Sequence, residues 1–119
     1  QDYINTISLS ADYVLGCNEL GSAWITGMGA RPPLDPLHAD ALTFIYYGFP
    51  PIPGIPVYGP GSLGIQFGKE VTYPPLIDRA LMRRYTDIHV DVMANEFELA
   101  LQSTHSQHFA ILYGLSRTN

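Results

Sequence analysis

The chain carries Tyr85-Thr86-Asp87-Ile88-His89-Val90-Asp91-Val92-Met93-Ala94-Asn95-Glu96. This carboxylate-rich stretch ends in an Asn-Glu pair, where it meets the apolar run at residues 97–101. A carboxylic acid set there, partly shielded by Val92, Met93 and Phe97, is the kind of group that serves as a general acid near neutral pH. Taken alone, Glu96 in the first turn of a helix would equally be an ordinary partner of the helix dipole.

Around this stretch the composition is unusual for an independent domain. Ten Pro and eleven Gly occur among 119 residues, and most crowd into residues 31–68. Loops beyond about 15 residues without regular structure are uncommon in compact domains unless they serve a function. The chain opens on Gln1, with neither Met nor a signal-type segment, and so reads as part of a longer protein. No apolar run reaches the roughly 18 residues of a membrane span. Six Lys and Arg against eleven Asp and Glu give a net charge of -5. No basic stripe is present to displace counterions, which argues against a nucleic-acid partner. A single Cys17 rules out an internal disulfide and leaves the compartment open, exported or cytosolic.

Ile4, Ile7, Ala11, Val14 and Leu15 recur at helical spacing and predict a helix over residues 2–15, with Gly16 as its C-terminal stop. Glycines and prolines then allow only a short extended piece through residues 23–26. Residues 38–47 suit a short helix or a buried strand, which periodicity does not separate. Residues 49–61 carry too many prolines for a helix or a central strand and read as an irregular, partly polyproline-like loop. A helix is expected over 75–85. Residues 96–101 should form a short helical piece, followed by a second over 106–115 capped by Ser103 or Thr104, with Gln107 completing a capping box.

Several motifs dissolve in context. Gly59-Pro60-Gly61-Ser62-Leu63-Gly64 matches G-x-G-x-x-G but follows a proline-rich loop and precedes Ile65-Gln66-Phe67-Gly68, so it lacks the strand and helix a dinucleotide site requires. His105 and His108 share a helix face but have no third ligand nearby in sequence, and no metal is expected. No G-x-S-x-G elbow supports a hydrolytic triad. Trp24, Tyr46, Tyr47, Tyr58 and Tyr73 lie in or near loops, where they could stack on a sugar ring or anchor loops to a core.

Three colinear segments resemble glycoside hydrolase family 9, the cellulase family with an (α/α)6 barrel. Residues 12–21, Asp12-Tyr13-Val14-Leu15-Gly16-Cys17-Asn18-Glu19-Leu20-Gly21, followed by residues 24–33, resemble the family's D-Y-x-L-G-x-N-x-x-G run and V-T-G-x-G-x-[KR]-x-P loop. Residues 52–60, Ile52-Pro53-Gly54-Ile55-Pro56-Val57-Tyr58-Gly59-Pro60, resemble the V-P-G-x-x-V-x-G-P loop. Tyr85-x-Asp87 followed by Asn95-Glu96 has the spacing of the family's aromatic-x-D and N-E signature.

The resemblance implies an all-α fold: the C-terminal helices and long active-site loops of an (α/α)6 barrel, incomplete as a stand-alone domain, with residues 1–119 as one C-terminal segment and no internal boundary. It implies an inverting hydrolysis of β-1,4-linked glycosidic bonds in an oligosaccharide or polysaccharide. Glu96 would be the general acid, with Asp87 ordering the loop or tuning that acid, and His38, Trp24, Arg31 and Tyr58 meeting substrate. No cofactor is implied. The family's base is an aspartate in an earlier D-A-G-D-like motif, absent here, so the chain would need the N-terminal part of the catalytic domain as its partner and be inactive alone.

Some positions depart from the family pattern. Pro36-Leu37-His38-Ala39 stands where P-H-x-R is usual, while Val92 and Leu101 replace aromatics. These departures point to a divergent substrate such as an amino-sugar oligosaccharide. A different class, a non-catalytic carbohydrate-binding or structural segment, is distinguished by whether an upstream aspartate pair exists. A third, an unrelated small helical domain, predicts cooperative unfolding of these 119 residues alone.

Overall fold

The computed structural model describes residues 1–61 and 72–117. It contains helices and shaped loops, and among the described residues strand pairing is limited to two isolated bridges. Helix α1 spans Asp2–Val14, close to its expected limits, and buries Ala11 and Val14. Beyond it the chain reverses at Gly16, whose φ of 120° suits glycine. Asn18 holds the turn: its Nδ2 donates to the Tyr13 and Ser22 carbonyls at 2.8 and 2.7 Å.

Of the extended piece expected at 23–26, a single bridge at Ile25 forms, with a bend at Trp24 and a turn from Thr26, and the segment passes between two partners. Trp24 N donates to Val14 O at 2.8 Å, and Val57 N donates to Trp24 O at 2.9 Å. Ile25 pairs antiparallel with Pro56. Thr26, fully buried, donates from Oγ1 to Ile52 O at 2.6 Å and accepts from Ile55 N at 2.9 Å. These bonds explain how a proline-rich segment packs without a sheet: the backbone donors of Gly54, Ile55 and Val57 are spent on residues 24 and 26. Val14, Trp24, Ile25 and Val57 form the core, with Tyr13, Leu20, Tyr85 and Phe109 against it. Gly59 is required here because its φ is 79° and a Cβ would lie 3.1 Å from the Trp24 ring.

Residues 38–47 resolve as helix α2, Ala39–Tyr46, with His38 as N-cap. Residues 75–85 do not form the expected helix. They make two single 3-10 turns, Leu76–Asp78 and Leu81–Arg83, separated by extended Arg79 and Ala80. The guanidinium groups account for the difference. Arg79 donates to Pro74 O, and Arg84 to Arg79 O and Ile77 O, occupying carbonyls that a continuous helix would need, while Arg79 also donates to Tyr85 O.

The end of the chain also differs from expectation. Helix α3 is one short turn, Val92–Asn95, after which Glu96 and Glu98 are extended. Helix α4, Leu99–Ser116, then runs unbroken through the predicted cap. Thr104 does not cap because its Oγ1 donates back to Ala100 O at 2.9 Å, a bond a threonine makes inside a helix. Helix α4 packs on α1, yet none of its residues is fully buried. Leu99 and Tyr113 are 76% and 63% exposed, as are large parts of Leu34, Phe44 and Phe49, which border an apolar groove of about 620 Å³. Apolar surface on this scale suits a segment that packs against further structure.

Candidate active site

Asn95 organises the site. Its side chain is fully buried, and Nδ2 donates to Thr86 O at 2.7 Å and Ile88 O at 2.9 Å. Its Oδ1 accepts from the Tyr85 hydroxyl at 2.9 Å. One amide thus ties the loop at 85–91 to the turn of α3, adding a second donor to carbonyls that also accept from the Ile88 and Asp91 N–H groups. Tyr85 stands edge-on to Trp24, with ring centroids 4.8 Å apart. Burial, followed by the Asp87 charge, holds its hydroxyl well above the usual phenol range, so it remains a donor.

Asp87 links the Tyr85 hydroxyl, from which its Oδ1 accepts at 3.4 Å, to the next loop. Its Oδ2 accepts from Leu34 N at 2.7 Å and its Oδ1 from Asp35 N at 3.1 Å. Asp35 in turn accepts from His89, through the backbone N–H at 3.2 Å and through Nδ1 at 2.9 and 3.0 Å. The loops at 34–35 and 87–89 are thereby joined by reciprocal carboxylate bonds. A cleft of about 470 Å³ opens beside them, lined in part by Arg31, Pro32, Leu34, Tyr85 and Asp87.

Glu96 lies where two further straps meet. Leu37 N donates to Asn95 O at 2.8 Å and Phe97 N to Leu37 O at 3.4 Å, forming a parallel bridge between Leu37 and Glu96. From the opposite loop, Gly59 N donates to Ala94 O at 3.0 Å. The Glu96 side chain is half-buried, and among the described residues its carboxyl makes no hydrogen bond or ion pair. Its backbone is therefore held from both sides while its acid group stays unengaged.

The remaining candidates fall in different places. His38 sits next to the bridge; its Nδ1 accepts from Ala41 N at 3.4 Å and its ring meets Phe97 edge-on at 5.0 Å. Arg31 is exposed at the cleft, with Nη1 donating to Leu20 O at 2.9 Å. Tyr58 is 43% exposed and its hydroxyl donates to Glu98 Oε2 at 3.2 Å. Partial loss of hydration, the Glu98 bond and the charges of Glu98 and Glu96 push that hydroxyl up. Trp24 is corrected: it is 3% exposed, with its ring against Gly59 and Tyr85, so it builds the core instead of offering a face to substrate. His105 and His108 acquire no third ligand, and among the described residues no group of three or more His, Cys, Asp or Glu is placed to hold a metal. The second half of the Gly59–Gly64 motif and residues 65–68 lie outside the described residues.

Asn95 as a hub, the Asp35–His89 pair and the Tyr58–Glu98 pair escaped the sequence reading. Only the last left a trace, in the alternation Glu96-Phe97-Glu98. Asp91 escaped too. It is 1% exposed, and both carboxylate oxygens are buried without a hydrogen-bond partner among the described residues. Burial pushes its proton affinity up from the usual value of 3.8. An acid bound more tightly by the folded state contributes stability that is complete below its unfolded pKa and is lost as pH rises through the folded one. Asp91→Asn is therefore expected to stabilise the protein at pH 7 by about 1–3 kcal/mol, with the gain shrinking as pH falls to about 4. Thermal melts across that range check it; a gain that does not depend on pH would contradict the account.

No family model and no curated protein matches the chain. Solved structures do. A single mutant of a thermostable endoglucanase from Alicyclobacillus acidocaldarius superposes with a TM-score of 0.78 at 28% identity, over 92% of this chain and 20% of that chain. AaCel9A in complex with cellobiose-like isofagomine gives 0.76 at 29% identity, over 91% and 20%. A Zn-binding triple mutant of a GH family 9 endoglucanase shares the fold, with a TM-score of 0.66 at 23% identity over 90% and 19%. The chain is thus similar, in fold, to a segment of glycoside hydrolase family 9 endoglucanases. Its described residues are all-α, and the chain spans about a fifth of the length of the endoglucanases it matches.

Proposed function

We propose that the chain supplies the general acid of an inverting glycosidase that cleaves β-1,4-linked sugars, with Glu96 as that acid. The observation that supports this most directly is the mounting of Glu96: its backbone is strapped to Leu37 and, through Ala94, to Gly59, while its carboxyl has no partner among the described residues. In the reaction, the Glu96 carboxyl donates its proton to the glycosidic oxygen as the bond from that oxygen to the anomeric carbon breaks. A water on the opposite face attacks the same carbon and loses its proton to a second carboxylate about 6.5–9.5 Å from the first.

Asp87 is a positioning residue in this scheme: by accepting from the amides of Leu34 and Asp35, it holds the loop that leads to Leu37 and His38. The base belongs to the part of the catalytic domain beyond this chain, since no D-A-G-D-like motif occurs in these 119 residues. Proton NMR of freshly cleaved cello-oligosaccharide tests the reading. The complete catalytic domain is expected to release the α-anomer first and the 119-residue chain alone to release no product; initial β-anomer would overturn the inverting assignment.

A further inference from the structure

Tyr58 and Glu98 meet across 40 residues of sequence, and nothing in the scheme above uses their contact. Tyr58 precedes Gly59, whose N–H is bonded to Ala94 O at 3.0 Å, while the Tyr58 hydroxyl reaches Glu98 Oε2 at 3.2 Å. The side chain therefore runs from residue 94 to residue 98 and passes along the flank of Glu96, whose charge it feels. Glu96 and Glu98 are both extended, with ψ of 138° at each, so their side chains leave the same side of the backbone. Phe97 leaves the other side and packs on His38.

The result is one surface with three chemically distinct parts. Glu96 offers an unengaged acid, Tyr58 a partly exposed ring, and Glu98 an exposed carboxylate whose only bond among the described residues is the one from Tyr58. An aromatic face beside a hydrogen-bond acceptor suits a pyranose, which presents an apolar C–H face and equatorial donors at its rim. The Tyr58 hydroxyl orients the carboxylate through Oε2 and leaves Oε1 to accept from a ligand.

We propose that Tyr58 and Glu98 form a sugar-binding subsite beside Glu96, in which a pyranose unit stacks on the Tyr58 ring and donates hydrogen bonds to the Glu98 carboxylate. The donors are the hydroxyls of a neutral sugar or the ammonium of an amino sugar, which share this acceptor. The inference rests on the reading of the chain as part of a glycosidase.

Calorimetric titration of the complete catalytic domain carrying Glu96→Gln tests it, with cellotetraose and the corresponding glucosamine tetramer as probes. Glu98→Ala is expected to weaken binding about tenfold and Tyr58→Ala by a similar factor, with Tyr58→Phe weaker in effect because the ring remains. A loss confined to cellotetraose assigns hydroxyl donors. A loss larger for the amino sugar, and reduced by salt, assigns the ammonium. Affinities for both sugars within about twofold of the parent in Glu98→Ala and Tyr58→Ala would overturn the subsite alone. If the Glu96→Gln domain binds neither sugar, the glycosidase reading fails and the subsite with it.

Discussion

Glu96→Gln in the complete catalytic domain is expected to lower turnover of cello-oligosaccharides by about 10²–10⁴-fold, the range a positioned general acid contributes. The substitution keeps the shape of the side chain and removes the transferable proton. An alkoxide leaving group cannot depart readily without protonation, whereas a nitrophenolate can, so aryl glycosides with good leaving groups should lose far less. The contrast between the two substrate types is the informative measurement. Folding should be unaffected, because the Glu96 carboxyl holds no partner among the described residues and its backbone bonds to Val92, and the Leu37 bridge around it, do not involve the side chain. Near-normal turnover of unactivated substrate would remove Glu96 from the role of acid.

Asn95→Ala is expected to cost about 3–5 kcal/mol of stability. The side chain is fully buried and satisfies the Thr86 and Ile88 carbonyls and the Tyr85 hydroxyl. Its loss would remove these three hydrogen bonds at about 0.5–1.5 kcal/mol each and leave a cavity, although the Thr86 and Ile88 carbonyls keep the Ile88 and Asp91 N–H groups and the Tyr85 hydroxyl keeps Asp87. Denaturant unfolding gives the magnitude, and hydrogen exchange should show faster opening of residues 85–91 than of α1. Asn95→Asp is not a rescue, since it replaces two donors with acceptors that face the same carbonyls. A cost under about 1 kcal/mol for Asn95→Ala would mean that the loop is held by something other than this amide.

Much of the local structure was legible because it follows from local rules. The apolar spacing of Ile4, Ile7, Ala11 and Val14 specifies α1, and the prolines of residues 50–60 exclude regular structure there. Reading failed where side chains bond to backbone in ways that periodicity does not register. Residues 75–85 have helical spacing, but Arg79 and Arg84 take the carbonyls. Thr104 resembles a cap in sequence, but donates inward to the preceding turn of α4. Trp24 belongs to a glycine-rich loop, the usual setting for an exposed aromatic, and is buried because residues 55–59 fold over it.

The amino-acid order by itself determined helix α1, the punctuation of the long loops and the resemblance that marks Glu96 and Asp87. These depend on neighbours a few residues apart, whose geometry the backbone constrains directly. Only the tertiary structure decided which loops meet: Asp87 with Leu34 across 53 residues, Tyr58 with Glu98 across 40, and Leu37 with Glu96 at the bridge. Such contacts have no period in sequence, because a hydrogen bond between distant loops depends on where the intervening chain turns back and on which polar groups burial leaves in want of a partner.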